Sequence, residues 1–254
     1  MQGGIETGYE EKFDFPERAD PPRLLYMLAS VPRSGSTFLS HLLWRSGCLG
    51  APLEYLNFLP ASPYHSAHGA PDRQVAVWRS ALRRRTSPNG VFGIKCFSAQ
   101  LRELQQDNPT LLIEVMGALL PVSGRAFVVR LKRRDPVAHA ISYARAALSG
   151  VWHKMQESPG GAEVEFSAKS VDHARALLDQ QEADWDLLFG EIGVEPLILW
   201  HEDVIARPTQ AVQAVADFLG VTLDPAAAVA IPEIEKQAET DSLRWAALYA
   251  ASQR

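Results

Sequence analysis

The chain has 254 residues, of which 30 are acidic and 25 are basic, so its formal net charge is −5. This mild acidity argues against a polyanionic partner such as DNA, whose backbone is held mainly by lysine and arginine. The hydrophobic content of 46% is that of an ordinary globular protein, and a chain of this length buries enough surface for one full core.

The cysteine content and the first residues indicate where the protein works. Cys48 and Cys96 alone exclude a disulfide scaffold and a cysteine metal site, and they favour a reducing compartment. Residues 1–22 have neither a basic start nor an apolar run, and no membrane-length apolar stretch follows. We therefore predict a cytoplasmic protein with one domain over 23–254, preceded by an N-terminal arm over 1–22 that lies on the surface rather than in the core.

Strand and helix patterns alternate along the rest of the chain. Apolar runs with little alternation predict buried strands at 23–31, 91–97, 126–131 and 196–200. The spacing of apolar residues predicts helices after the turn at 32–37 and at 71–85, 109–119, 135–149, 167–190, 208–219 and 240–250. Residues 151–166 have no clear period and predict a long loop. This alternation predicts an α/β fold, with a central parallel sheet and helices on both faces.

The turn after the first strand is a candidate anion site. In an open α/β sheet, ligands bind outside the carboxyl ends of the strands, where a helix N-terminus offers unpaired N–H groups. Gly35 lets the backbone approach a phosphate, and Arg33 adds a rigid cationic fork. The turn also carries three hydroxyl groups, on Ser34, Ser36 and Thr37. A helix cap without a ligand is the alternative, but the coincidence of these groups favours a binding loop.

This turn differs from the P-loop of nucleoside triphosphatases. When that motif is aligned on Gly35, Ser30 replaces its first glycine and Ser36 replaces its lysine. A standard ATPase or GTPase is therefore disfavoured.

A second basic segment follows the strand at 126–131. Lys132, Arg133 and Arg134 precede a helix that Asp135 and a proline open, and Ser142 lies eight residues after Arg134. Taken alone, this segment would be a solvated strand end followed by a helix.

Together the two segments resemble the sulfotransferases that use 3'-phosphoadenosine 5'-phosphosulfate (PAPS). In that family a loop resembling 32–37 holds the 5'-phosphosulfate, and an arginine and a serine spaced like Arg134 and Ser142 hold the 3'-phosphate. A third stretch, at 197–221, resembles the family's strand and helix, with His201 where a tyrosine usually meets the adenine. The resemblance also suggests cofactor contacts from Phe38, which core packing explains as well, and from Lys236.

The resemblance is narrower to a bacterial, trehalose-type branch of this family. Its anchors lie in order at 33–37, 50–55, 92–95, 133–135 and 150–153, with a terminal helix that contains Trp245. The branch implies a sugar acceptor, a homodimer and Glu54 as the general base. Many cytosolic relatives use instead a histidine two residues after a lysine, and here Phe97 stands at that distance from Lys95.

The resemblance assigns roles to the remaining site residues. Arg33 and Lys95 are expected to stabilise the transferring sulfuryl group, and burial beside Tyr55 is expected to raise the basicity of Glu54. Trp152 and His153 are candidates for the acceptor pocket, although a loop tryptophan is often a simple anchor. The basic groups at 33, 95, 130–134 and 236 are expected to converge on the cofactor, and no metal is required.

Two other functions stay open at this point. A P-loop kinase for a small molecule would require magnesium and ATP. A catalytically silent nucleotide-binding module would not depend on Glu54.

Overall fold

A computed structural model describes residues 6–60, 62–120, 125–152, 164–232 and 240–253. The described residues form one sheet of four parallel strands in the order β2-β1-β3-β4, with β1 at Leu24–Ser30, β2 at Val91–Phe97, β3 at Val128–Lys132 and β4 at Leu197–Trp200. The helices are α1 at Ser36–Arg45, α2 at Pro71–Arg84, α3 at Ser98–Asp107, α4 at Pro109–Leu119, α5 at Pro136–Ser149, α6 at Ala168–Ile192, α7 at His201–Ala206, α8 at Pro208–Leu219 and α9 at Thr240–Ser252. The predicted parallel sheet with helices is confirmed.

The two faces of the sheet bury different helices. Met27 and Ala29 point to one face, where they join a cluster that includes Trp78 of α2 and Trp185 of α6. Leu28, between them in sequence, points to the other face and packs with residues of α1 and α8. Because successive side chains of a strand alternate, one strand buries apolar residues on both sides. This explains the nearly continuous apolar run in the sequence.

Helices α3 and α7 are absent from the sequence prediction. In α3 the apolar residues of the buried face are only Leu101 and Leu104, so the hydrophobic period is too weak to see in the sequence. The predicted loop at 151–166 falls mostly outside the described residues, of which only 151–152 and 164–166 belong to it. Within the described ranges, no helix has the length and apolar character needed to span a membrane.

The expectation that residues 1–22 stay on the surface is wrong for part of that segment. Phe15 is 6% exposed and belongs to the main core cluster. The buried guanidinium of Arg85 donates hydrogen bonds to the carbonyl oxygens of Gly8, Tyr9 and Glu10, and it pairs with Asp14 at 2.7 Å. Three backbone acceptors and one carboxylate therefore hold this segment against the domain.

The order of the strands creates a switch point beside β1. The chain moves from β1 to β2 on one side and then to β3 and β4 on the other. Ligand sites of open α/β sheets lie at such points, outside the carboxyl ends of the strands. The loop at 31–35 follows β1 directly at this point. Because β3 and β4 run parallel to β1, the residues that follow them lie at the same edge of the sheet.

Candidate active site

The loop after β1, the predicted anion site, has two residues in the left-handed backbone region. Arg33 has a φ of 64°, and it is the one non-glycine residue with a positive φ among the described positions. Gly35 has a φ of 87° and caps the N-terminus of α1. A Cβ atom at Gly35 would overlap the imidazole ring of His201. Only glycine fits there, and the N-terminus of α1 therefore lies next to the imidazole ring of His201, the first residue of α7.

Side chains from β3 and α5 surround this loop. Arg33 Nε donates to Ser142 Oγ at 3.1 Å, and its Nη1 donates to the carbonyl oxygen of Trp152. Arg133 Nη1 donates to the carbonyl oxygen of Arg33 at 3.4 Å. His139 Nε2 donates to the carbonyl oxygen of Pro32 at 2.8 Å. Contacts from several segments thus fix the loop, which carries the guanidinium group of Arg33 and accepts a hydrogen bond from that of Arg133.

Burial lowers the pKa of His139 to about 4. The charges of Arg133, His201 and Arg33 also lower this pKa, whereas the hydrogen bond to Pro32 raises it. The ring is therefore neutral near pH 7 and serves as a hydrogen-bond donor. Two polar atoms of this region, Ser34 Oγ and Arg133 Nε, are buried and have no partner among the described residues. Buried donors without partners are unusual in folded proteins, and both would be satisfied by a bound anion.

Glu54 lies next to this loop because its segment pairs with β2. Leu53 forms a parallel bridge with Ile94, and the Lys95 N–H donates to the Leu53 carbonyl oxygen at 3.0 Å. Lys95 Nζ then lies 2.8 Å from Glu54 Oε1 and donates to Thr37 Oγ1 at 3.0 Å. The Lys95 side chain is 2% exposed. One buried ammonium group therefore joins the carboxylate to the first turn of α1.

Three further contacts hold Glu54. Asn57 Nδ2 and Gln100 Nε2 donate to its Oε2 at 2.9 and 2.8 Å. Its backbone N–H donates to the Tyr9 hydroxyl oxygen at 3.1 Å. Sequence reasoning missed all three partners, because Gln100 and Tyr9 lie in distant segments and Asn57, three residues after Glu54, belongs to no motif. The one local sign is Gln100 at the third position of α3, a common place for a side chain that caps a helix.

The expected rise in the basicity of Glu54 is wrong. Burial does raise its pKa, but the charge of Lys95 and the hydrogen bonds from Lys95, Asn57 and Gln100 outweigh burial, so the pKa is lowered. Tyr55 plays no part in this balance. Its ring is fully buried against Phe92 in the core, and its hydroxyl donates to the Ala51 carbonyl oxygen.

The structure separates several residues that the sequence grouped. Arg134 is exposed and forms a bidentate pair with Asp203 at 3.0 and 2.6 Å, whereas Ser142 contacts Arg33. The expected convergence of all basic groups is wrong for Arg130, whose guanidinium pairs with Glu182 and Asp186 of α6.

The other predicted residues fall into three groups. Phe38 packs on the core cluster beneath α1, as its alternative explanation had it. The Trp152 ring packs edge to face on Tyr143, with 5.4 Å between centroids. His153 and Lys236 lie outside the described residues. Within the described ranges, no group of three or more His, Cys, Asp or Glu side chains is arranged to hold a metal ion.

A cavity of about 120 Å³ is lined in part by Gln100, the residue whose amide donates to Glu54. Its apolar wall includes Leu56 and Phe58, which follow Glu54 in sequence. Its polar lining comes from α2, α3 and the segment before α2: Gln74, Gln100, Glu103, Asp107 and His68. Gln74 is 1% exposed, and its amide oxygen accepts a hydrogen bond from Asn108 at 3.0 Å.

The sheet is parallel, and its first strand leads through the loop at 31–35 into α1, with the paired carboxylate of Glu54 beside that loop. These features agree with the P-loop-like fold of the sulfotransferases. The family model described as Stf0 sulphotransferase matches residues 25–252, so the chain belongs to that family and is a sulfotransferase.

Two curated relatives are similar over nearly the whole chain. The trehalose 2-sulfotransferase of Mycobacterium tuberculosis is 29% identical, with 89% of this chain and 94% of the relative covered. The trehalose 2-sulfotransferase of Mycolicibacterium smegmatis is also 29% identical, with coverage of 91% and 96%. Among solved structures, the sulfotransferase domain from the curacin biosynthetic pathway is 16% identical, covers 83% of this chain and 77% of its own, and has a TM-score of 0.48.

Proposed function

We propose that this sulfotransferase moves a sulfuryl group from PAPS to a hydroxyl group of a carbohydrate, with Glu54 as the general base. The observation that carries the proposal is the chain of contacts from Glu54 through Lys95 to Thr37, at 2.8 and 3.0 Å. It sets an ionised carboxylate one ammonium group away from an anion-type loop. Base and anion site must be this close for an acceptor oxygen to reach a group held in the loop.

The residues around the loop fit the phosphosulfate of PAPS. Ser34 Oγ and Arg133 Nε are buried donors without a described partner, and Gly35 caps the N-terminus of α1 next to them in sequence. When bound, PAPS supplies the activated sulfuryl group. In the family pattern, Arg134 and Ser142 would contact its 3'-phosphate, and His201, beside Gly35, would face its adenine. Arg134 would then bind the 3'-phosphate while its Nη1 and Nη2 groups still donate hydrogen bonds to Asp203.

The polar lining of the cavity at Gln100 supports the proposal that the acceptor is a sugar. Carboxylates and amides are good partners for hydroxyl groups, and Glu103, Asp107 and Gln74 line the cavity together with the aromatic ring of Phe58. Burial and the nearby Asp107 raise the pKa of Glu103, against the smaller effects of His68 and Arg102. The curated relatives act on trehalose by name, so trehalose is the first acceptor to test. Trp152 and His153 remain acceptor contacts that the family resemblance suggests, whereas Tyr55 is fully buried in the core.

The proposed reaction needs one proton transfer and one displacement. The acceptor hydroxyl gives its proton to Glu54 while its oxygen forms a bond to sulfur. The bond between sulfur and the phosphate oxygen breaks, and the electron pair leaves on the 5'-phosphate of adenosine 3',5'-bisphosphate. Lys95, Arg33 and the N–H groups at the start of α1 stabilise the negative charge on these oxygens.

The test combines nucleotide binding with turnover. Isothermal titration should show micromolar or tighter binding of adenosine 3',5'-bisphosphate without added metal. With labelled PAPS and trehalose, Glu54→Gln should lower kcat by roughly 10²–10⁴ and keep the nucleotide affinity. The matched control is Glu114→Gln, which changes a surface pair with Arg79. Absence of nucleotide binding by the folded protein, or full turnover by Glu54→Gln, would overturn the proposal.

Turnover assays separate the two alternatives from a sulfotransferase. A kinase would turn over ATP with magnesium, whereas Thr37 Oγ1, the hydroxyl that holds magnesium in P-loop kinases, already accepts a hydrogen bond from Lys95. A silent binding module would bind the nucleotide but would transfer nothing to any acceptor.

Three further predictions remain proposals. A homodimer should give twice the 28.0-kDa chain mass by light scattering. The single domain over 23–254 should unfold in one transition. Fractionation of cells that make the protein would test its location in the cytoplasm.

A further inference from the structure

The amide orientations of Gln100 and Asn57 are fixed by the backbone. Gln100 Oε1 accepts a hydrogen bond from the Phe97 N–H at 3.0 Å, which caps α3. Asn57 Oδ1 accepts from the Leu59 N–H at 3.3 Å. Because a backbone N–H must meet the oxygen of each amide, the nitrogen of each must face Glu54. Both side chains therefore present donors to the same carboxylate oxygen.

These donors leave one position on the carboxylate for a proton. An ionised carboxylate offers about four lone-pair sites, two on each oxygen. Asn57 and Gln100 occupy both sites on Oε2, and Lys95 occupies one site on Oε1. Among the described residues, nothing further donates to Glu54 side-chain atoms. The second site of Oε1, the oxygen that Lys95 contacts, is the one that remains.

We propose that Gln100 and Asn57 are positioning residues that direct the acceptor proton to Oε1 of Glu54. The inference rests on the proposed function, in which Glu54 is the base. The two amides also keep the carboxylate ionised without adding a charge next to the anion loop.

The test must separate this role from helix capping. In Gln100→Glu, the new carboxylate still accepts from the Phe97 N–H, but it loses the donor to Glu54 and adds a second negative charge. Asn57→Asp makes the same change while keeping the acceptor for Leu59. Two carboxylates this close share a proton, so the pKa of the pair rises. Lys95 and Cys96 of β2 and Tyr9 of the N-terminal segment also face Glu54, and neither variant changes them.

We expect Gln100→Glu to lower kcat roughly ten- to hundredfold and to move the acidic limb of the pH profile of kcat/KM upward by about one unit or more. Asn57→Asp should move both in the same direction. The matched control is Gln105→Glu on the exposed face of α3, which should change neither. The affinity for adenosine 3',5'-bisphosphate should stay within about twofold in all three, which also shows that they are folded.

Each outcome decides between the claims. If Glu54→Gln is inactive while a folded Gln100→Glu has the wild-type kcat and pH profile, the positioning role is wrong and the proposed base stands. If Glu54→Gln keeps full activity, the proposed function fails first. If Gln100→Glu does not fold, Asn57→Asp decides alone, and a wild-type profile for it overturns the inference.

Discussion

The two halves of the site differ in how completely their polar groups are paired. Around Glu54, the two carboxylate oxygens, the Lys95 ammonium and the backbone N–H all have partners at 2.8–3.1 Å. Around the loop after β1, cationic groups gather and two buried donors, on Ser34 and Arg133, have no partner among the described residues.

This difference indicates which half is complete without a ligand. A network in which every polar group has a partner keeps one carboxylate ionised and oriented before any substrate arrives. A buried donor without a partner costs roughly 1–3 kcal/mol, which a bound anion would recover. In the proposed function, the Glu54 half would carry out the chemistry and the loop half would bind the nucleotide. Variants in each half should change different measurements.

Among variants that test this difference, the largest effect is expected from Lys95→Met, which breaks the link between the halves. Removal of one partner of a buried pair costs about 3 kcal/mol or more in stability, and kcat should fall roughly 10²–10³-fold. Without the ammonium group, the effect of burial on the pKa of Glu54 is opposed by the hydrogen bonds of Asn57 and Gln100 but no longer by Lys95, so the pKa rises. Because activity needs the ionised form, the acidic limb of kcat/KM should move to higher pH.

The measurement is a pH series of kcat/KM, with thermal unfolding measured in parallel. Lys169→Met, at an exposed position of α6, serves as the control for loss of a lysine. An acidic limb that stays in place, or moves to lower pH, would contradict the assigned role of Lys95.

Gly35→Ala should act on the binding half. The added Cβ meets the His201 ring, and a φ of 87° is unfavourable for alanine. Strain of this kind costs roughly 1–3 kcal/mol, so we expect the affinity for adenosine 3',5'-bisphosphate to fall about 10–100-fold. The double variant Gly35→Ala/His201→Ala removes the overlap and should recover part of the unfolding free energy.

Gly193→Ala is the matched control, because that glycine has a φ of 64° with no atom near its Cβ position. It should lower stability slightly and leave nucleotide binding unchanged. Wild-type affinity in Gly35→Ala would show that the loop does not bind the nucleotide.

A smaller effect is expected from Arg133→Met. Loss of one charge-assisted hydrogen bond to an anion should weaken nucleotide binding about tenfold. The effect should be present in the Kd from titration, and kcat at saturating PAPS should change little. Arg79→Met, in an exposed pair on α2, controls for the loss of charge. If instead kcat falls while the Kd holds, the division of the site into a binding half and a chemical half is wrong.

The sequence predicted the framework better than the site. The strand at 91–97 and the helices at 109–119 and 208–219 have the predicted bounds, because apolar periodicity and the prolines that open both helices are local signals. The predicted site residues Glu54, Lys95 and the loop at 32–37 do lie together. What failed depends on contacts between distant segments.

Arg134 shows why such contacts escape a reading of the sequence. The family resemblance puts it with Ser142 on the 3'-phosphate, a role that stays a proposal, and its partner in the structure is Asp203, 69 residues away at the start of α7. The same holds for the partners of Glu54, since Gln100 is 46 residues away and Tyr9 is 45. Long-range pairing depends on how helices pack on the sheet, and no short motif encodes it.

The Arg85 contacts with the N-terminal segment bear on how the protein should be trimmed for experiments. A form shortened to begin at residue 24, just before the family match at 25, would lose Tyr9 and Phe15 and uncover the ring of Trp44, which packs on Phe13. It would also leave the Arg85 guanidinium buried without its three carbonyl partners. Each such bond to a charged group is worth roughly 1.5–3 kcal/mol, against about 5–15 kcal/mol for a whole domain. Expression designs should therefore keep the first 23 residues and carry any affinity tag at the other terminus.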